Sequence, residues 1–201
     1  TLDPDEFYTR NYAPFNIKHE LANNYIDLSV LDTKFQAEIK AKPIKGLELA
    51  ALGSVRYQLS MTEHNIKDNS NQAEAYRAAA TKIIQSLNPY LYKDPDKPTG
   101  DKYTVLPQGG ILKKNDYSAL SMDFRASGTY NTAIADKHII NAFAAMEVNS
   151  LDRHASSFDG WGLQYEAGET PFYIVDLFKK QIEQNSYYYS LSNTHERNVA
   201  F

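Results

Sequence analysis

The side chains able to do chemistry are scattered along this sequence of 201 residues. Histidines stand at His19, His64, His138, His154 and His195. Asp152-Arg153-His154 sets an acid close to an imidazole, as a metal or proton-transfer site requires. No second ligand comes after it at helical or hairpin spacing, so a surface-loop histidine is the better reading. Asp94-Pro95-Asp96, followed by Gly100-Asp101, carries carboxylates in the manner of a calcium loop. Pro98 occupies the third ligand position there and no glutamate closes the loop, so a solvated turn fits better. The absence of cysteine removes disulfides, thiolate zinc sites and cysteine nucleophiles together. No GxSxG, P-loop, HExxH or GxGxxG is present, and no acid/base pair stands out. The expectation is a protein without catalytic activity, cofactor or metal. Trp161, Tyr165 and the run Tyr187-Tyr188-Tyr189 offer aromatic faces that stack on sugar rings. Trp161 and Tyr165 are the candidate ligand-binding residues. The competing role for these aromatics is packing against a loop helix or a girdle at a lipid interface.

These side chains hang on elements with a clear period. Leu31, Phe35, Ala37, Ile39 and Ala41 alternate with Asp32, Lys34, Gln36, Glu38, Lys40 and Lys42, the period of two of a β-strand. Pro43-Ile44-Lys45-Gly46 forms a tight turn. Leu47, Leu49, Ala51, Gly53, Val55, Tyr57 and Leu59 then mark the apolar face of a second strand, completing a hairpin over residues 28–60. A second hairpin over 117–149 repeats the design. Leu120, Met122, Phe124, Ala126 and Gly128 precede a turn through Asn131 to Lys137, and Ile140, Ala142, Ala144, Met146 and Val148 come after it. On the opposite faces, Arg56, Asp123 and Arg125 are expected to point into a lumen if the strands close a barrel.

The connections are long. Residues 1–27 are irregular, with Asp3-Pro4-Asp5-Glu6 a plausible helical turn. Residues 61–116 hold a predicted helix over 72–86, capped by Asn71 with Glu74 three residues on. Residues 150–201 hold another over 172–185, with Ile174, Leu177, Phe178 and Ile182 along one side, and run into a further strand from about Asn198. Strands of roughly 12–15 residues exceed the usual mode of about 5–6 and suffice to cross a bilayer, which takes about 9–11. Long strands with short turns at one end and large loops at the other suit an outer-membrane barrel. A curved sheet or sandwich covered by the two helices, as in a soluble carbohydrate- or protein-binding module, fits the pattern as well.

Composition narrows the partners. A formal net charge of −4 leaves no general basic face for nucleic acid. No run approaches the roughly 18 apolar residues of a transmembrane helix, which says nothing of membrane strands. The chain begins at Thr1 without a signal peptide or lipidation cysteine and stops at Phe201 inside an apolar alternation. An excerpt of a longer protein is expected.

Several stretches resemble the SusC/RagA family of TonB-linked outer-membrane proteins. They are Thr1 to Asn16 (TLDPDEFYTRNYAPFN), His19-Glu20-Leu21-Ala22-Asn23-Asn24-Tyr25, Lys45-Gly46-Leu47-Glu48-Leu49 with Ala51-Leu52-Gly53, and Glu63-His64-Asn65-Ile66. Gln72 to Ala78 (QAEAYRA), Val105-Leu106-Pro107-Gln108-Gly109-Gly110 and Glu196-Arg197-Asn198-Val199-Ala200-Phe201 complete the set. The likeness covers essentially the whole chain and is specific in aggregate. It implies an all-β membrane protein: a fragment of a large antiparallel transmembrane barrel, with short helices in its extracellular loops. It further implies a place in the cell outer membrane of a Gram-negative bacterium and import of oligosaccharides or peptides. The implied partners are a SusD-like surface lipoprotein, outer-membrane lipid, and TonB acting through a plug that this sequence does not contain.

Overall fold

The structure is a computed structural model and describes residues 8–10, 13–134 and 138–201. The turn expected at Asp3-Pro4-Asp5-Glu6 lies outside the described residues, as do 135–137 of the second hairpin turn. A small antiparallel pair comes first, β1 (Tyr8–Arg10) and β2 (Ala13–Phe15). Helix α1 (Ile17–Asn23) is next, capped by the Asn16 side chain, which accepts from the amides of Lys18 and His19. The long strands are β3 (Asn24–Ile44), β4 (Leu47–Ile66), β5 (Gly110–Ile134) and β6 (His138–Gln164). Helices α2 (Asn71–Arg77) and α3 (Lys82–Leu87) lie in the first connection, and β7 (Thr170–Pro171) and α4 (Val175–Glu183) in the second. Strand β8 (Tyr189–Ala200) closes the order. The sheet runs β3-β4-β5-β6, with β7 and β8 both paired to β6. The architecture is mostly antiparallel β, and the sheet is not closed. No helix among the described residues is long and apolar enough to cross a membrane.

Two compact units make up the chain. Unit 1 takes residues 1–28, 62–115 and 157–190, and unit 2 takes 29–61, 116–156 and 191–201. Unit 1 owns the core: Ile66, Ala73, Tyr92, Val105, Leu106, Ile111, Ile174 and Leu177 pack together, with Tyr76, Tyr103 and Trp161 against them. Arg77 ties this unit down. Its guanidinium donates to the carbonyls of Asp68, Leu106 and Gly109 and pairs with the carboxylates of Asp68 and Glu74. Glu20 accepts from the Asn71 amide at 2.6 Å, and the Asn24 carboxamide meets His64 Nε2, also at 2.6 Å. Most of the stretches that carry the family resemblance are thus wired to one another here.

Unit 2 has no such interior. Among its described residues only Ser54 and Ala119 are buried. Its first hairpin turns at Gly46, whose φ of +88° excludes most side chains. A Cβ there would fall 2.2 Å from the Asn131 carbonyl oxygen, because Asn131 N–H donates to Gly46 O at 2.8 Å.

Several boundaries differ from expectation. Residues 1–27, expected to be irregular, contain α1 and the start of β3, while β4 runs on to Ile66 and β5 begins at Gly110, beyond the hairpin bounds of 28–60 and 117–149. The helix predicted over 72–86 is two helices. Buried Asn88 donates its amide to the carbonyls of Ala75 and Ala78, which a continuous helix would have used itself, and Thr81 caps the second piece. Ser70, rather than Asn71, caps the first. The connection expected over 150–198 is much shorter, since β6 runs on to Gln164 and β8 begins at Tyr189. Polar cross-strand pairs, not apolar alternation, extend those strands: Arg153 with Glu196, His154 with Asn193, and Ser157 with Ser190. The second helix is likewise shorter than 172–185, and its expected apolar side is only half covered: Ile174 and Leu177 are buried, whereas Ile182 is 80% exposed.

Candidate functional site: a two-faced sheet and an aromatic cavity

Period-two alternation sorts the side chains of unit 2 onto two unlike faces. On one, Ile39, Ala41 and Leu49 share a shallow furrow with Ala126, Gly128 and Met146. A second furrow joins Phe35, Gly53, Val55, Met122, Phe124 and Val148. The large residues here are bare: Phe35 is 71% and Ile39 72% exposed. An exposed apolar patch of this extent is the kind of surface that meets a protein partner, a membrane or a ligand.

The opposite face mixes a cross-linked polar network with apolar residues, Phe143 and Ala145 lying beside Arg125 and Glu147. Arg56 donates to both oxygens of Asp32, at 2.9 and 2.5 Å, and Gln58 donates to the same carboxylate. Asp123 accepts from Ser54, Ser121 and Asn149, and Arg125 pairs with Glu147 at 2.6 Å. Arg56, Asp123 and Arg125 therefore share this one face. Each of these ions has an opposite or hydrogen-bonding partner in the sheet, so none is left as a loose charge.

Asp152 and His154 lie in β6, not in a surface loop. Asp152 accepts from His195 Nδ1 at 2.8 Å and from Arg197 at 2.7 Å. That pairing was invisible in the sequence, because its partners stand 43 and 45 positions further on and only strand pairing brings them back. No group of three or more histidines and carboxylates suited to a metal occurs among the described residues. The carboxylates of the calcium-like turn hold an ammonium group instead, Lys179 Nζ lying 2.5 Å from Asp94 and 2.6 Å from Asp96. Those two acids raise Lys179 well above the ordinary lysine range, and Lys179 in turn lowers Asp94. Tyr92, buried nearby and donating to Glu183, is pushed up to about 12. The turn and α4 are thereby latched.

Trp161 and Tyr165 do not share a site. Tyr165 donates to the Ile111 carbonyl at 3.1 Å and borders a polar cleft with Gln108, Gln164, Lys67 and Asn69. Burial pushes its hydroxyl up to about 12. Trp161 meets Tyr76 edge-on at 5.1 Å and lines an aromatic cavity of about 470 Å³ in unit 1. Phe172, Tyr173, Phe178 and Tyr188 supply much of the remaining wall. Tyr188 packs edge-on against Phe178 of α4 at 5.6 Å, so the tyrosine run contributes one wall residue while Tyr187 stays exposed. Gly162, at φ +76°, allows the Phe172 amide to reach its carbonyl at 2.8 Å and so holds that wall residue against β6.

No family model matches the chain, and no curated protein matches it.

Proposed function

We propose that this chain is part of the wall and surface of a TonB-dependent outer-membrane transporter of the SusC/RagA kind. It would import oligosaccharides or peptides together with a SusD-like lipoprotein. The observation that carries the reading is the sheet of unit 2: one face apolar and bare, the other bearing paired polar groups among apolar ones, with almost nothing buried among its described residues. In water such a sheet has no reason to persist, since burial of apolar surface is the main favourable term in folding. In lipid the apolar face is covered by acyl chains, and the polar face lines an aqueous interior. The open edges of β3 and β8 are then where further strands of the barrel pair. The sequence likeness supports the choice of family, and on this reading TonB coupling belongs to a plug outside this chain.

A second reading is a soluble carbohydrate- or protein-binding module, favoured by unit 1, which has its own packed core. Circular dichroism and light scattering of the chain, refolded with and without detergent, separate the two. Strand signal and monodispersity that depend on detergent support the transporter. A monomer that melts cooperatively in plain buffer overturns it.

A further inference from the structure

We infer that the aromatic cavity of unit 1 binds a basic side chain, arginine or lysine, carried on a short peptide. This narrows the transporter reading to one cargo chemistry and rests on that reading for the peptide carrying the cation and for its passage after capture.

The walls are Trp161, Phe172, Tyr173, Phe178 and Tyr188, whose ring faces carry negative charge density and attract a desolvated cation. Asp159 and Glu169 border the same space, and no lysine, arginine or histidine lines it. Neither carboxylate has an ion pair or side-chain hydrogen bond among the described residues. Two cations stand close by in sequence, Lys179 and Lys180; Lys179 is turned to Asp94 and Asp96, and neither lines the cavity. Two free carboxylates and a ring of π-faces without any counter-charge repel an anion. A neutral sugar would stack on the rings, but it leaves both carboxylates unneutralised. A guanidinium or ammonium group satisfies both features at once, because its charge meets the acids and its flat or apolar portion meets the rings.

A peptide, rather than a free amine, follows from the cargo proposed above, since of oligosaccharides and peptides only a peptide carries a basic side chain. A volume of about 470 Å³ accommodates one long side chain with its flanking main chain. The cavity is also preformed. Phe178 is seated on Tyr188 and Trp161 on Tyr76, while Lys179 and Glu183 anchor α4 to the 92–96 turn. Ordering costs on binding are correspondingly small.

The test is isothermal titration of the chain, in detergent or in buffer as its solubility dictates, with acetyl-Gly-Arg-Gly-amide. The comparison ligands are the same peptide with citrulline, a neutral isostere of arginine, and maltoheptaose. Saturable binding of the arginine peptide is expected, at least tenfold weaker for citrulline and for the double variant Asp159→Asn/Glu169→Gln, with no saturable binding of the saccharide. Near-UV dichroism verifies that the variant is folded; should it not be, the citrulline comparison on the native chain decides alone. Equal affinity for the citrulline peptide, binding of the saccharide in preference, or no saturable binding of the arginine peptide overturns the inference. Flotation with lipid vesicles reads membrane insertion separately, so failure of the transporter reading leaves a different signature from failure of this one.

Discussion

Arginine placed at Ile39 tests the facing of the sheet most directly. At about 3.3 Å per residue and a strand tilt of about 40°, the positions from Ile39 to the end of β3 at Ile44 climb about 13 Å. That is half of an apolar band about 25 Å tall, so Ile39 stands near the midplane, where arginine costs about 2–4 kcal/mol. Taking about 3 kcal/mol, the folded-to-unfolded ratio falls on the order of a hundredfold. Gln36→Arg lies on the opposite face, the one carrying Asp32 and Arg56. There it gains an aqueous surface with acids within the sheet, and a change within about 0.5 kcal/mol is expected. Leu49→Arg, beside Gly128 on the apolar face and about 5 Å above Leu47 by the same rise and tilt, should cost about 1–2 kcal/mol, less than Ile39→Arg, and Leu47→Arg, at the start of β4, about 0–1 kcal/mol. Denaturant titration in lipid vesicles, read by the gel mobility of folded against unfolded protein, measures all four variants. Equal penalties at 36 and 39, or no dependence on depth between 47 and 49, would refute the assigned faces and the membrane reading built on them.

Other expectations concern unit 1. Asn88→Ala removes two donors to the end of α2 and leaves buried carbonyls unpaired, so unit 1 should lose about 1–3 kcal/mol in denaturant melts; an unchanged midpoint would refute this capping role. His64 is held below the ordinary imidazole value by burial and then by Lys113. The unfolded chain therefore takes up a proton the folded chain resists, and stability present above about pH 6.5 is lost as pH falls below it. The melting temperature should drop between pH 7.5 and 5, and His64→Gln should flatten that slope; an identical slope in the variant removes His64 as its source. Lys179 is raised by Asp94 and Asp96, so its contribution is complete below about pH 10.5 and lost as pH rises through its folded value. Asp94 is lowered, and its contribution is lost as pH falls from about 3.8 through its own folded value. The latch is closed between those limits, and Lys179→Ala at pH 7 should speed proteolysis within residues 172–188 severalfold. Cleavage at the native rate would show that α4 is held by its apolar contacts alone.

The strands and their faces were legible in the sequence because period two is a local signal. Phe35, Leu49, Phe124 and Met146 declare their side without reference to anything distant. What escaped was fixed by contacts far apart in the chain. The division of α2 from α3 depends on Asn88 reaching back to Ala75, and the latch on α4 joins Lys179 to Asp94. The extension of β6 past Asn149 rests on polar partners in β8 as far as Ser157 and on β7 at Leu163 and Gln164, where no apolar alternation announces a strand. Trp161 and Tyr165, close in sequence, part company because β6 gives way to a 3-10 turn at Tyr165. The cavity itself draws Phe172, Phe178 and Tyr188 from elements whose meeting no spacing rule describes.

The sheet order also bears on how the molecule is made. β3, β4, β5 and β6 pair in the order in which they occur, and β8 joins the edge left by β6. Each long strand therefore finds its template in the segment synthesised just before it, with no crossover awaiting a distant partner. Loop-closure entropy for the two hairpins is small, and the intervening segments enlarge it only logarithmically. Assembly can thus proceed by successive addition of strands to a growing edge, and each addition leaves one edge ready for the next.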